Sequence, residues 1–137
     1  MSPDCELCEG DGGDLLWRDR QCRVVRVNEY GYPGFCRVVW NAHVREMTDL
    51  DAGERARLMH VVFAVESALR QLLHPDKINL ASLGNTTPHL HWHVIPRFRG
   101  DPHFPNPIWG VELRQLRPII RDFSTFNQAL ADWLSRL

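Results

Sequence analysis

The run His89-Leu90-His91-Trp92-His93-Val94-Ile95-Pro96-Arg97 carries the densest chemistry in the chain. Side chains alternate faces along a strand, so His89, His91 and His93 share one face and Leu90, Trp92 and Val94 the other. The apolar set is the natural core face. Successive imidazoles on one face stand roughly 6.5–7 Å apart. Packing is a poor account of three of them, because each brings two ring nitrogens that need partners when buried. Two chemistries compete. One is a metal site in which all three histidines bind one ion. The other is nucleophilic catalysis by an imidazole, abundant in its neutral form near pH 7.

A second cluster is Cys5-Glu6-Leu7-Cys8, either half of a zinc site or a redox pair. A redox pair should open a helix after a buried strand, and nothing strand-like precedes Cys5. A zinc site needs two more ligands, for which His43 and His89 are the best supply. Cys22 and Cys36 lie in β-rich runs and read as small buried apolar residues.

The elements that must hold these groups are legible in part. Cys22 to Val27 and Phe35 to Trp40 read as two strands joined by a Gly/Pro turn over Asn28 to Gly34. Asp51 stands three residues before Glu54, a capping-box spacing, ahead of a long helix from Ala52 to about Leu73. Leu58, Val62, Val65, Leu69 and Leu72 recur on one side of that helix, and Pro75 limits its continuation. Lys77 to Leu83 and His89 to Arg97 read as two further strands around a polar Gly84-to-Pro88 loop. Asp101 to Gly110 holds Pro102, Pro105 and Pro107 and should be irregular. Ser124 to Leu137 reads as a short helix with Thr125 as its cap. The sum is an α+β domain: a mostly antiparallel sheet, one long helix packed on a face and a C-terminal helix.

The chain has 137 residues with 44% hydrophobic and 24% charged side chains, which fits one globular domain. Sixteen basic against seventeen acidic side chains give a net charge of −1, which argues against a nucleic-acid polymer as partner. No apolar run reaches the length of a membrane span. The polar start Met1-Ser2-Pro3-Asp4-Cys5-Glu6 does not resemble a signal peptide, so a cytoplasmic location is expected.

The histidine run, read as His-Φ-His-Φ-His-Φ-Φ followed by Pro-Arg, resembles the motif of the histidine-triad family. Other segments match in order. Cys5-x-x-Cys8 resembles the cysteine pair of the family's zinc-bearing branch. Pro33-Gly34-Phe35 through Asn41-Ala42-His43 resembles its Pro-Gly-His strand ending in histidine. Asn79 and Gly84-Asn85-Thr86 resemble its nucleotide-contacting segments. The motif-bearing core would run from about 5 to 101 and a C-terminal tail from 102 to 137.

The resemblance implies a nucleotide-binding hydrolase or transferase, usually a homodimer. His91 would be the nucleophile toward the α-phosphorus of a nucleoside phosphate, forming a nucleotidyl-histidine intermediate. A dinucleoside polyphosphate such as diadenosine tetraphosphate, or a nucleoside phosphoramidate, would be the substrate. His93 would contact phosphate or orient the site. Asn28, Asn79, Gly84, Asn85 and Thr86 would bind nucleotide. His89 would face away from phosphate and complete a structural zinc site with Cys5, Cys8 and His43. Phe35 replaces the family's frequent histidine after Pro-Gly. Arg97 and Arg99 are candidates for steering an anionic substrate, and His103, Phe104 and Trp109 for flanking a base or leaving group. The rival readings are a nucleotide-binding adaptor with little turnover and the three-histidine metalloenzyme.

Overall fold

The computed structural model describes residues 4–115 and 124–137. The start Met1-Ser2-Pro3, on which the expectation of no export signal partly rests, lies outside the described residues.

Five strands form one antiparallel sheet: β1 (Asp14–Arg18), β2 (Cys22–Arg26), β3 (Cys36–Trp40), β4 (Lys77–Ala81) and β5 (His91–Arg97), in the spatial order β1-β2-β3-β5-β4. The sequence reading held four strands; β1 was not anticipated. It is an edge strand whose register shifts between Leu15 and Trp17, and a bulge erases the alternation that marks a strand. β5 opens at His91 rather than His89, and β4 closes at Ala81 rather than Leu83.

The long helix, α2, spans Ala52–Leu73; a short helix, α1 (Glu6–Glu9), precedes the sheet and α3 (Ser124–Leu134) ends the chain. The capping box at the start of α2 forms as expected: Asp51 accepts from the Glu54 backbone and Glu54 from that of Asp51. Its end is set by His74 in the left-handed region, followed by Pro75. α3 is already helical at Ser124, so Thr125 sits inside its first turn and not at the cap.

Side-chain parity gives the sheet two unlike faces. Val24, Val38, Trp40 and Val94 pack on one face against Leu58, Val62, Val65 and Leu69 of α2. Leu130 and Leu134 of α3 enter the same core, so the C-terminal segment is part of the main packing. Cys22 and Cys36 are fully buried there, and burial raises both thiols to about 12, which makes them inert small apolar groups at neutral pH.

On the other face the N-terminal segment folds back over β2 and β3. Leu7, buried at the centre of α1, packs on Val25 and Val39. Gly12 turns that segment at φ +91°, where a Cβ would stand 2.5 Å from the Leu7 side chain; only glycine fits. The buried Arg23 guanidinium staples the segment down. It donates to the carbonyls of Leu7 (2.6 Å), Gly10 (3.1 Å) and Asp11 (3.0 Å) and to Asn41 Oδ1 (2.9 Å).

β5 ends in a second anchor. Arg97, 2% exposed, pairs with Asp101 through Nε (2.8 Å) and Nη2 (3.0 Å), and donates to Asn79 Oδ1 (2.8 Å) and the Asn106 carbonyl (2.7 Å). Asp101 also accepts from the backbone of Phe98, His103 and Phe104. This network shapes the proline-rich loop, and Arg97 is therefore structural. Its expected steering role is corrected: a guanidinium only 2% exposed and committed to four internal acceptors is spent inside the fold.

Candidate functional site

The face of the sheet left open by α1 carries His91, His93 and Ile95 of β5. Across the β3–β5 pairing Val39 stands opposite His91 and Arg37 opposite His93. Both imidazoles are 6% exposed. His91 Nδ1–H donates to the His89 carbonyl at 2.6 Å. This local bond fixes the ring and its tautomer, leaving Nε2 with an unshared pair. Burial is the main cause that holds His91 below the usual imidazole range; the charge of Arg37 adds to it, and Glu6 and the His89 carbonyl oppose it. A neutral ring with a fixed lone pair is what nucleophilic use requires.

His93 is set by rings. Its centroid lies 4.9 Å from His91, 5.6 Å from Phe35 and 4.9 Å from Trp109. Its Nδ1 is buried with no partner among the described residues. Burial first, then His91 and Arg37, push its pKa down to about 3. Phe35, 2% exposed, takes the place of the family's frequent histidine and presents an aromatic edge where that would present a polar ring. Trp109 is half exposed; the Pro-rich loop, pinned by Arg97 and Asp101, brings it onto His93.

The depressed His93 pKa has a thermodynamic consequence. The unfolded ring has a pKa of about 6.5, so the unfolded chain binds more protons between that value and about 3. The neutral burial of His93 is therefore fully tolerated above pH 6.5, and stability is lost as pH falls below it, by about 1.4 kcal/mol per pH unit. We expect the melting temperature to drop less between pH 7 and pH 4.5 in His93→Asn than in the parent chain. Equal drops would show that this ring does not couple protonation to folding.

His89 points elsewhere. It lies in the bend before β5, and its Nε2–H donates to the Trp40 carbonyl at 2.6 Å, which leaves Nδ1 unprotonated. That Nδ1 sits 3.3 Å from Cys5 Sγ, 3.5 Å from Cys8 Sγ and 3.2 Å from His43 Nδ1, while Cys8 Sγ is 3.4 Å from His43 Nδ1. All four ligand atoms lie within 4.8 Å of one another. Ligands about 2.0–2.3 Å from one tetrahedral centre are separated by such edges. Two sulfurs and two nitrogens fit a closed four-ligand metal site, with the Trp40 carbonyl orienting His89 from behind. This corrects the three-histidine metal site. His89 is turned to the cysteines and His91 Nδ1 to a carbonyl, so the three rings do not converge on one ion.

The remaining candidates are dispersed. Asn79 lies on the open face, opposite Ile95, with its Oδ1 engaged by Arg97. Asn28 is exposed two residues beyond β2. Gly84 turns the β4–β5 loop at φ +78°; Asn85 and Thr86 stand exposed on it. Its far end is tied to α1, with Thr87 Oγ1 donating to Glu6 at 3.0 Å. His103 meets the hydroxyl of Tyr32, which packs with Phe35 and Ile95. Arg99 is exposed. The sequence reading did not single out Arg37, although a lone charge in the apolar run Phe35-Cys36-Arg37-Val38-Val39 marks the unlike face of that strand.

Known proteins share this fold. A family model described as HIT domain matches residues 12–100. A Mycobacterium tuberculosis protein named AP-4-A phosphorylase is 31% identical over 103 residues, 70% of this chain and 52% of that protein; the chain thus spans about half the length of the curated relatives it matches. A histidine triad protein of Marinobacter aquaeolei superposes with a TM-score of 0.80 at 28% identity, over 100% of this chain and 98% of that one. One from Bradyrhizobium japonicum gives 0.71 at 32%, over 90% of each chain. A Zn-bound histidine triad family protein of Mycobacterium smegmatis shares the fold, with a TM-score of 0.68 at 22% identity over 97% and 94% of the two chains. The match runs from the Gly12 turn through all five strands and past the last histidine of the triad, and the chain belongs to the HIT domain family.

Proposed function

We propose that this protein is a nucleotidyl hydrolase or transferase acting through His91. The observation that carries the reading is the 2.6 Å bond from His91 Nδ1 to the His89 carbonyl, which leaves Nε2 as a held nucleophile on the open face. In the proposed reaction Nε2 attacks the α-phosphorus of a nucleoside phosphate. An N–P bond forms, and the P–O or P–N bond to the leaving group breaks with its electron pair. Water or another acceptor then attacks phosphorus, breaks the N–P bond and returns the neutral ring.

His93 orients the site. Gly84 backbone, Asn85 and Thr86 supply donors to the crowded phosphorus without adding charge, and Asn28 and Asn79 complete the nucleotide contacts. Candidate substrates are dinucleoside polyphosphates, a class suggested by the name of the mycobacterial relative, and nucleoside phosphoramidates.

Zinc is proposed for the Cys5, Cys8, His43 and His89 site, where it supplies cross-linking, since four protein ligands leave no open position. A homodimer belongs to the same reading. Half-exposed Phe63 on α2 and the outer edge of β4, which no described strand covers, supply surface for it; a monomer in sedimentation at micromolar concentration would remove that part. No helix among the described residues is long and apolar enough to cross a membrane, and a cytoplasmic location is part of the proposal.

The deciding experiment mixes the protein with adenosine and guanosine polyphosphates and phosphoramidates, quenches in the steady state, and seeks a nucleotide adduct by peptide mass spectrometry. An adduct on His91 with mononucleotide release is the expected result. Tight nucleotide binding with neither adduct nor release would favour the adaptor reading.

A further inference from the structure

The arginines of this sheet are unequal. Arg23 gives its donors to three carbonyls and Asn41, Arg26 pairs with Asp14, and Arg97 pairs with Asp101. Arg37 differs. Among the described residues no carboxylate pairs with it, its Nε is buried without an acceptor, and its one hydrogen bond is a long 3.4 Å contact from Nη1 to the Gly12 carbonyl. It stands directly opposite His93 in the β3–β5 register, where facing Cβ atoms lie about 5 Å apart. Its charge bears on both His91 and His93. Glu6, the acid whose charge reaches His91, accepts from Thr87 and is not in ion-pair reach of Arg37.

A half-buried guanidinium beside two neutral imidazoles is costly unless something anionic meets it. Its planar fork suits phosphate oxygens. The loop donors proposed for the α-phosphate are uncharged, so among the described residues Arg37 is the formal cation on this part of the face with donors to spare. We propose that Arg37 receives the phosphate chain beyond the α-phosphate, and that this chain therefore selects nucleoside polyphosphates over compounds carrying an α-phosphate alone, phosphoramidates included. The inference rests on the nucleotide-binding part of the reading above. When the bond from the α-phosphorus to the bridging oxygen breaks, the electron pair leaves as added charge on a polyphosphate, and a guanidinium stabilises that charge. An amine leaving group gains no such help.

The test uses binding, so it does not depend on turnover. Calorimetric titration at fixed ionic strength compares AMP with the α,β-methylene analogue of ATP, whose P–C link resists cleavage. The parent chain should bind the analogue about tenfold or more tighter than AMP. Arg37→Met should bring the two within about twofold while AMP affinity changes little. Arg37→Lys, which keeps charge but loses the fork, should fall between and guards against misfolding of the Met variant. A parent chain without the preference, a preference that survives in Arg37→Met, or equal losses for both ligands would each overturn the proposal. A chain that shows the preference but forms no adduct and releases no mononucleotide would sink the proposed reaction and leave Arg37's role standing.

Discussion

On the proposed reaction, His91→Ala should bind nucleotide, take up zinc as the parent chain does, and release mononucleotide on the order of 10³-fold or more slowly than the parent chain. The size of the loss follows from what is removed. The site then has no nitrogen lone pair fixed toward phosphorus, and only positioning and the surrounding donors remain. The structural side of the substitution is mild. It deletes one donor to the His89 carbonyl and leaves the Nε2–H bond from His89 to Trp40 in place, so the cysteine–histidine cluster should persist. One metal per chain in His91→Ala would show that persistence, which separates the loss of a nucleophile from the loss of a fold. Full activity in His91→Ala would remove the covalent mechanism.

What the sequence made legible was local. α2 was predicted to its ends because a capping box, a 3.6-residue apolar period and a proline each act within a few residues of the boundary they set. The unlike faces of β5 were equally plain, since parity needs no knowledge of the neighbouring strands; it held for His91 and His93 even though His89 lies outside the strand. β1 was hidden because its bulge breaks parity and its exposed edge imposes no apolar pattern.

Long-range pairings were hidden for a different reason. Nothing local tells Arg97, buried between Asp101, Asn79 and Asn106, from a surface arginine. Nothing local puts Arg37 across from His93 or Trp109 against it, because register and loop closure decide both. The grouping of Cys5 and Cys8 with His43 and His89 spans the chain in the same way. Residue chemistry alone offers His43 and His89 as further ligands for the cysteine pair, but their grouping into one site rests mostly on family resemblance, which carries the record of folds where those segments already meet.

That grouping underlies the second large effect. Chelation, or Cys5→Ser, should lower the melting temperature by about 10 °C or more before it changes turnover per folded molecule. The cluster joins α1, the segment after β3 and the bend before β5. Apart from it, α1 is held by Leu7 on Val25 and Val39, by the Arg23 staple and by the exposed Thr87–Glu6 bond. Without a shared cation, two thiols and two imidazole nitrogens face one another at 3.2–3.5 Å. Each then needs a proton or a partner in a site where Cys5 and His89 are buried. The direct bond from this site to His91 runs through the His89 carbonyl, which belongs to the backbone and not to the ring. Chemistry should therefore survive chelation at temperatures where the sheet stays folded. Melting curves with and without a strong chelator, beside single-turnover rates at 20 °C or below, separate the two effects. Turnover abolished with the melting temperature unchanged would show that the metal site serves the reaction instead of the fold.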